Sequence, residues 1–389
     1  MTIKKHHIDT ELGHLGLSPN ENFGIPNPPI YRTSTILSSS MAQHRGNLPK
    51  PYTYGRRGTP TSEAFEHAIA SLYKADTCIS TCSGLSAIST AILSVIKSGE
   101  HALFPDSLYG SSRYFVKKLL KDFGVEVEFY PPRTNGRISE HFKHNTRLLY
   151  LESPGSLTFE VQDVPTMSTL ARNHKIVTIC DDTWGTALHY PVLALGADIV
   201  VEAATKYIAG HSDVNLGIAA ANGIIGKKLK STAGALGICA GPEDLYLGLR
   251  GLRTMRLRLE QSASNGFMLA QALAEHPLVV EVLHPALNSS PDNELYMRDF
   301  YGSCGLFGFV LPETITQDKL DRAVEGMHIF AIGDSWGGYE SLIKQAHLDS
   351  KLRQFTPEHS PGHLIRVYAG IEHGEDLQKD LFQMLDALE

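Results

Sequence analysis

No apolar run approaches the roughly eighteen residues that a membrane-crossing helix needs. No Gly-x-Gly-x-x-Gly follows a strand-like segment, which weakens a nicotinamide reading, and no glycine-rich loop ends in Gly-Lys-Ser/Thr, which excludes a P-loop. Cysteine is scarce: Cys78, Cys82, Cys180, Cys239 and Cys304 are odd in number and scattered, so a disulfide framework is not expected and a reducing compartment, the cytoplasm, is. Cys78 and Cys82 are separated by three residues, with no second pair to complete a zinc site, and no metal is expected. The opening MTIKKHHIDTELGHLG has basic residues but no apolar stretch behind them, so no secretory signal is expected; His6, His7 and His14 there read as solvated. Basic clusters are also missing. With 35 Lys and Arg against 42 Asp and Glu, the net charge is −7, which argues against nucleic acid as a partner.

What is present fits an ordinary globular chain of 389 residues, 42% hydrophobic and 20% charged, long enough for two domains. Residues 1–60 differ from the rest. Pro26, Pro28, Pro29, Pro49, Pro51 and Pro60 interrupt polar tracts with weak helical periodicity, as in an arm that wraps a neighbouring domain or subunit. An amphipathic helix follows, with Phe65, Ile69 and Leu72 on one face. Apolar strands are then predicted at 77–80, 101–104, 125–129, 147–151, 176–180 and 197–201, separated by helical segments. That alternation predicts an α/β fold with a largely parallel sheet covered on both faces. Beyond Leu252 a long helix-favouring stretch, 253–274, leads into the strand-like 306–311 and 364–368, a smaller α+β domain. The division expected is 1–60 arm, 61–252 large domain and 253–389 C-terminal domain.

Ligands of open α/β sheets bind beyond the carboxyl ends of the strands, and three loops stand out there. Thr81-Cys82-Ser83-Gly84-Leu85 opens a helix and suits a phosphate, or is an ordinary capped turn. Asp181 and Asp182 end a buried strand, where an acid can pair with a ligand cation or cap the next turn. Ala203-Ala204-Thr205-Lys206 places a lysine among small and hydroxyl residues, where desolvation would lower its pKa and make it a nucleophile. A phosphate cradle, an acid and an amine on one sheet are the parts that hold pyridoxal 5′-phosphate (PLP).

With these segments in view the sequence resembles the trans-sulfuration (Cys/Met metabolism) family of fold-type I PLP enzymes over nearly its whole length. The resemblance rests on Tyr54-Gly55-Arg56-Arg57-Gly58-Thr59-Pro60, Leu151-Glu152-Ser153-Pro154-Gly155-Ser156, Asp181-Asp182-Thr183-Trp184, Ala204-Thr205-Lys206-Tyr207 through Asp213, Arg250-Gly251-Leu252-Arg253-Thr254, and Ser335-Trp336-Gly337-Gly338-Tyr339-Glu340-Ser341-Leu342. It implies a large PLP domain, a smaller C-terminal domain and an arm. It also implies that Lys206 joins the cofactor aldehyde and removes the substrate Cα proton, and that Asp181 holds the ring nitrogen protonated; Asp182 stands where the family usually has Asn. Ser83, Gly84, Leu85, Ala203 and Thr205 would surround the cofactor and its phosphate, with Tyr109 stacked on the ring and assisting proton transfer. Tyr54 and Arg56 would reach the phosphate site of a neighbouring subunit, implying at least a dimer, with the family suggesting a tetramer of two dimers.

Arg366 would bind the substrate carboxylate and Ser335 and Trp336 would line the pocket, although without the resemblance Arg366 reads equally as an ion-pair partner and Trp336 as core. Trp336 stands where γ-acting relatives carry a smaller aliphatic residue, and Gly155-Ser156 where relatives usually have Asn. Both point to the β-eliminating branch, which cleaves a sulfur amino acid to homocysteine, pyruvate and ammonia in methionine biosynthesis. γ-Chemistry and broad cysteine-S-conjugate or desulfhydrase cleavage are the alternatives, and a nucleotide-binding dehydrogenase is the reading from another class.

Overall fold

The computed structural model describes residues 6–348, 353–355 and 359–389; the first five residues of the arm lie outside the described residues. Seven strands form the larger sheet: β1 (Thr77–Thr81), β2 (His101–Pro105), β3 (Glu126–Tyr130), β4 (Thr146–Glu152), β5 (Val177–Asp181), β6 (Ile199–Glu202) and β7 (Gly217–Ala221). They lie in the order β1-β7-β6-β5-β4-β2-β3. The pairs from β3 to β6 are parallel, and β7 alone runs against both of its neighbours.

The apolar runs of these strands reflect burial on two sides. Leu149 and Leu151 of β4 pack into one hydrophobic cluster and Leu148 and Tyr150 into another, one on each face of the sheet. The Pro60–Tyr73 helix contributes Phe65, Ile69 and Tyr73 to the first cluster, and the Gly84–Val95 helix contributes Ile88, Ala91, Ile92 and Val95 to the second. Thr59 fixes the start of the Pro60–Tyr73 helix, with its hydroxyl accepting from Ser62 N–H and the Ser62 hydroxyl returning the bond.

β7 was not anticipated. Its sequence, Gly-Ile-Ala-Ala-Ala, has helix-favouring alanines and a single β-branched residue. Tertiary packing overrides that preference: a Cβ on Gly217 would lie 2.3 Å from the Ser83 carbonyl oxygen, so only the smallest residue fits where the strand passes the loop after β1.

The second sheet holds β8 (Glu281–Leu283), β9 (Leu306–Leu311), β10 (Ala331–Ile332), β11 (Leu342–Ala346) and β12 (His363–Tyr368), in the order β10-β11-β12-β9-β8. Phe307, Phe309, Ile365 and Val367 point from it into a core shared with Leu269 and Leu273 of the Met255–Ala274 helix and Leu377 and Leu381 of the Gly374–Asp386 helix. The long stretch expected over 253–274 is a helix from Met255, separated from a preceding helix, Pro242–Leu252, by a break at Arg253 and Thr254. A close approach marks that break. A Cβ on Gly251 would lie 2.2 Å from Ile208 O, and the buried Arg258 guanidinium donates to Tyr207 O at 2.9 Å and Gly251 O at 2.8 Å. The junction between the two regions is thereby clamped to the segment that follows Lys206.

Phe65 is 0% exposed and meets the Pro242–Leu252 helix at Gly248. Phe65→Ala is expected to lower unfolding free energy by about 3–5 kcal/mol, read by urea denaturation of the cofactor-free protein. A loss below about 1 kcal/mol would mean that this cluster does not hold the helix to the sheet.

Candidate active site

Lys206 sits four residues beyond the end of β6. The segment is braced against the start of β7: Thr205 N–H donates to Leu216 O at 2.9 Å, and the Thr205 hydroxyl donates to the same oxygen at 3.1 Å while accepting from Leu216 N–H at 2.9 Å. The Thr205 hydroxyl is thus committed to Leu216, not presented as a free donor for a phosphate. The Lys206 amine hydrogen-bonds the Ser335 hydroxyl and lies 5.4 Å from the centroid of the Trp336 ring. Gly337, at φ +85°, brings this second loop onto the lysine backbone; a Cβ there would be 2.9 Å from Lys206 Cα. Burial, followed by the positive charge of Arg366, pushes the amine pKa down to about 8, with Asp334 opposing.

Asp181 ends β5, paired in register with Glu152 at the end of β4. Its carboxylate accepts from the Thr183 hydroxyl at 2.5 Å, from Thr183 N–H at 3.0 Å and from the Tyr150 hydroxyl at 3.4 Å. Burial raises its pKa, and these donors oppose part of that rise. The Thr183 hydroxyl also accepts from Ala203 N–H at 3.0 Å, tying the acid's turn to the lysine's loop. Glu152 takes the Tyr109 N–H at 2.8 Å, leaving the Tyr109 side chain 48% exposed beyond the end of β2; burial and then the charge of Asp181 push its carboxyl well up.

Ser83 caps the Gly84–Val95 helix, its hydroxyl accepting from Ser86 N–H at 3.2 Å. The first N–H groups of a helix have no intrahelical acceptor, so those of Gly84 and Leu85 are turned to whatever lies before the helix. Gly84 meets Ala203 directly, since a Cβ there would be 2.6 Å from the Ala203 Cβ. On β12, buried Arg366 donates from Nη2 to Gly333 O at 2.8 Å, and its Nε is buried without a partner among the described residues. An unsatisfied guanidinium N–H beside a desolvated amine fits an incoming carboxylate. A helix N-terminus, a buried acid and a low-pKa amine beyond the carboxyl ends of β1, β5 and β6 of one sheet likewise fit the phosphate, ring nitrogen and aldehyde of PLP.

Tyr54 and Arg56 are not brought to this cluster within one chain. They line a cleft of about 1170 Å³ whose walls include Arg32, Glu66, Lys230 and Cys239, none of the residues named around Lys206 among them. Arg56 Nη1 donates to Gly234 O at 3.2 Å there. His211 is a structural hydrogen-bonder, its Nδ1 at 2.8 Å from Ala209 O.

Several buried groups behind the site went unread in the sequence. The Tyr73 hydroxyl lies 3.0 Å from Asp182 and 2.5 Å from Glu202. One hydroxyl has one proton to give, so a proton on one of the carboxyls satisfies the other contact. Burial drives both carboxyl pKa values up, Glu202 to about 8. The available signal was an acid directly after an apolar strand run, which Glu152, Asp181 and Glu202 all share.

Residues 9–386 match the family of Cys/Met metabolism PLP-dependent enzymes. The chain belongs to that family. It is 35% identical to cystathionine beta-lyase MetC of Escherichia coli, over 96% of this chain and 97% of the relative. It is also 35% identical to the L-alanine/L-glutamate racemase of Wolbachia pipientis, over 93% of each. Among solved structures, cystathionine gamma-lyase from Lactobacillus plantarum complexed with L-serine superposes with a TM-score of 0.91 at 26% identity, covering 98% of this chain and 99% of that one. Membership confirms the fold class and the PLP dependence expected from the sequence. Among the described residues no helix is long and apolar enough to cross a membrane.

Two pH effects follow. Lys206 has a folded pKa below its unfolded value near 10.5, so between about 8 and 10.5 the unfolded chain holds a proton that the fold releases, and stability rises with pH. In cofactor-free protein the Tm difference between Lys206→Met and wild type should therefore narrow across that window; a difference independent of pH would contradict the desolvated amine. Glu202 behaves oppositely. Its folded value of about 8 lies above its unfolded value near 4.5, so its contribution is lost as pH rises from 4.5 through 8. Glu202→Gln should flatten the Tm decline there, and a wild-type-like decline would refute the assignment.

Proposed function

We propose that this chain is a PLP-dependent carbon–sulfur β-lyase that converts L-cystathionine and water to homocysteine, pyruvate and ammonia. Bound PLP supplies an aldehyde to which the substrate amine is joined and a ring that takes up the electron pair left when the Cα proton departs. Lys206 Nζ receives that proton, which an amine of pKa near 8 can do close to neutrality. Asp181 keeps the ring nitrogen protonated, Gly84 and Leu85 N–H groups hold the phosphate behind the Ser83 cap, and Arg366 fixes the α-carboxylate. Tyr109 covers the ring, while Ser335 and Trp336 wall the pocket. In this reading residues 61–252 carry the cofactor and 253–389 close the site from the substrate side. Tyr54 and Arg56 on the arm serve a neighbouring subunit's phosphate, so the working unit is a cytoplasmic dimer or a tetramer of two dimers.

The observation that carries β- over γ-cleavage is the Trp336 ring against the Lys206 amine, 5.4 Å from centroid to nitrogen. Breaking a bond at Cγ requires a second proton to leave, from Cβ, so the base has to serve two carbons. An indole held edge-on against Tyr207, with ring centroids 5.6 Å apart, restricts that excursion.

Purified holoenzyme given L-cystathionine should release homocysteine and pyruvate. Cysteine with 2-oxobutyrate would overturn the β assignment, and racemisation of L-alanine without sulfur products would move the chain to its racemase relative's chemistry. Lys206→Ala should lower kcat about a thousandfold or more; substantial residual elimination would sink the role given to the amine.

A further inference from the structure

Elimination at Cα and Cβ gives no task to the two buried acids behind Asp181. Side chains alternate along a strand, so Asp182 and Glu202 follow Cys180 and Val200 onto one face of the sheet, while Asp181 follows Ile179 onto the other. Chain connectivity nevertheless ties both acids to the turn that carries Asp181. Asp182 stands between Asp181 and Thr183, Glu202 precedes Ala203, and the Ala203 N–H donates to the Thr183 hydroxyl at 3.0 Å.

The Tyr73 hydroxyl stands between the two carboxyls, within hydrogen-bond reach of each. Both acids are buried, and one oxygen of each has no partner among the described residues. Among the described residues no cation acts on either of them, so a bound proton is what neutralises the pair. Cys78 on β1, Cys180 on β5, Tyr73 and Tyr190 also face these acids. Burial pushes all four well up, so they stay neutral while the acids titrate. Glu66 and Lys230, of opposite charge, act on Cys78.

The charge of Asp181 raises both carboxyls from across the sheet. Such coupling is reciprocal: ionising the pair disfavours a lone Asp181 carboxylate and favours one that faces a cation. We propose that Tyr73, Asp182 and Glu202 form a buried proton store that sets how firmly Asp181 holds the cationic ring nitrogen of PLP, less firmly with the proton present and more firmly once it has left. Its members are positioning residues that act through Asp181. By the same reciprocity a cationic ring beside Asp181 makes the store release its proton, which links cofactor retention to pH. The family's usual Asn at position 182 does not titrate, so the store belongs to this chain's own residues. The inference rests on the part given to Asp181 in the proposed function, whichever sulfur bond is cleaved.

The test titrates PLP into cofactor-free wild type, Glu202→Gln and Asp182→Asn at pH 6.5 and 9.5, on either side of the Glu202 value of about 8. Kd is read from the absorbance of the bound cofactor. Lys206 also titrates in this window, as do groups of the cofactor, but they are common to all three proteins. Glu202→Gln removes the proton that can leave, and Asp182→Asn offers a neutral donor that keeps Glu202 ionised throughout. From pH 6.5 to 9.5 the Kd of wild type should therefore shift toward tighter binding by about fivefold more than that of either variant. Equal shifts overturn the store, including when a variant binds PLP more weakly at both pH values, which is what a merely structural role predicts. Infrared spectra of cofactor-free wild type should show an un-ionised carboxyl band that declines between the two pH values and does so less in Asp182→Asn; the same decline in both also overturns it. Asp181→Asn separates the two readings. An unaltered Kd there would refute the part given to Asp181 and the store with it, whereas a raised Kd with equal shifts in the other three proteins would refute the store alone.

Discussion

An amine removed from water is the constraint around which this structure is arranged. Desolvation alone would penalise a charged lysine by several kcal/mol, and the positive Arg366 nearby adds to that penalty. The chain holds Lys206 there by immobilising its backbone from three directions. Thr205 is bonded to Leu216 on the β7 side, Arg258 grips Tyr207 O from the long helix, and Gly337 lies on the Lys206 Cα. Each contact comes from a different part of the chain, and two depend on a glycine where no side chain fits. The resulting pKa of about 8 leaves a fraction of the amine uncharged close to neutral pH.

The acids complete the electrostatic frame. Glu152 and Asp181 sit side by side at the ends of β4 and β5, and Asp182 and Glu202 share one tyrosine hydroxyl behind them. So many carboxyls in a buried region cannot all be ionised. Asp181 has three donors aimed at it, whereas one oxygen each of Asp182 and Glu202 is buried without a partner among the described residues. The three donors favour the charged form of Asp181 against the burial that raises its pKa.

Much of this was legible in the sequence because the signals are local. Strand runs, the capped loop after β1, the acid after β5 and the lysine after β6 each announce themselves within a dozen residues, and family resemblance supplied their roles. Information carried by register was not legible. That Lys344 stands opposite Arg366, or that Glu152 stands beside Asp181, follows from strand pairing that no window of sequence reveals. β7 escaped notice for a related reason: Gly217 answers to the loop packed against it and the alanines to the clusters on either face of the sheet, not to strand propensity.

The position of β7 bears on the order in which the protein can be assembled. β1 is joined to the rest of its sheet only through β7, a partner some 140 positions later in sequence that itself must pair with β6. Until Gly217–Ala221 has been synthesised and threaded between them, β1 has no strand to pair with and the turn that opens the Gly84–Val95 helix has no wall at Gly217. Such long-range closure is slow compared with the local pairing of β2 through β6. The loop after β1 and the segment that carries Lys206 are therefore brought together only by this long-range closure through β7.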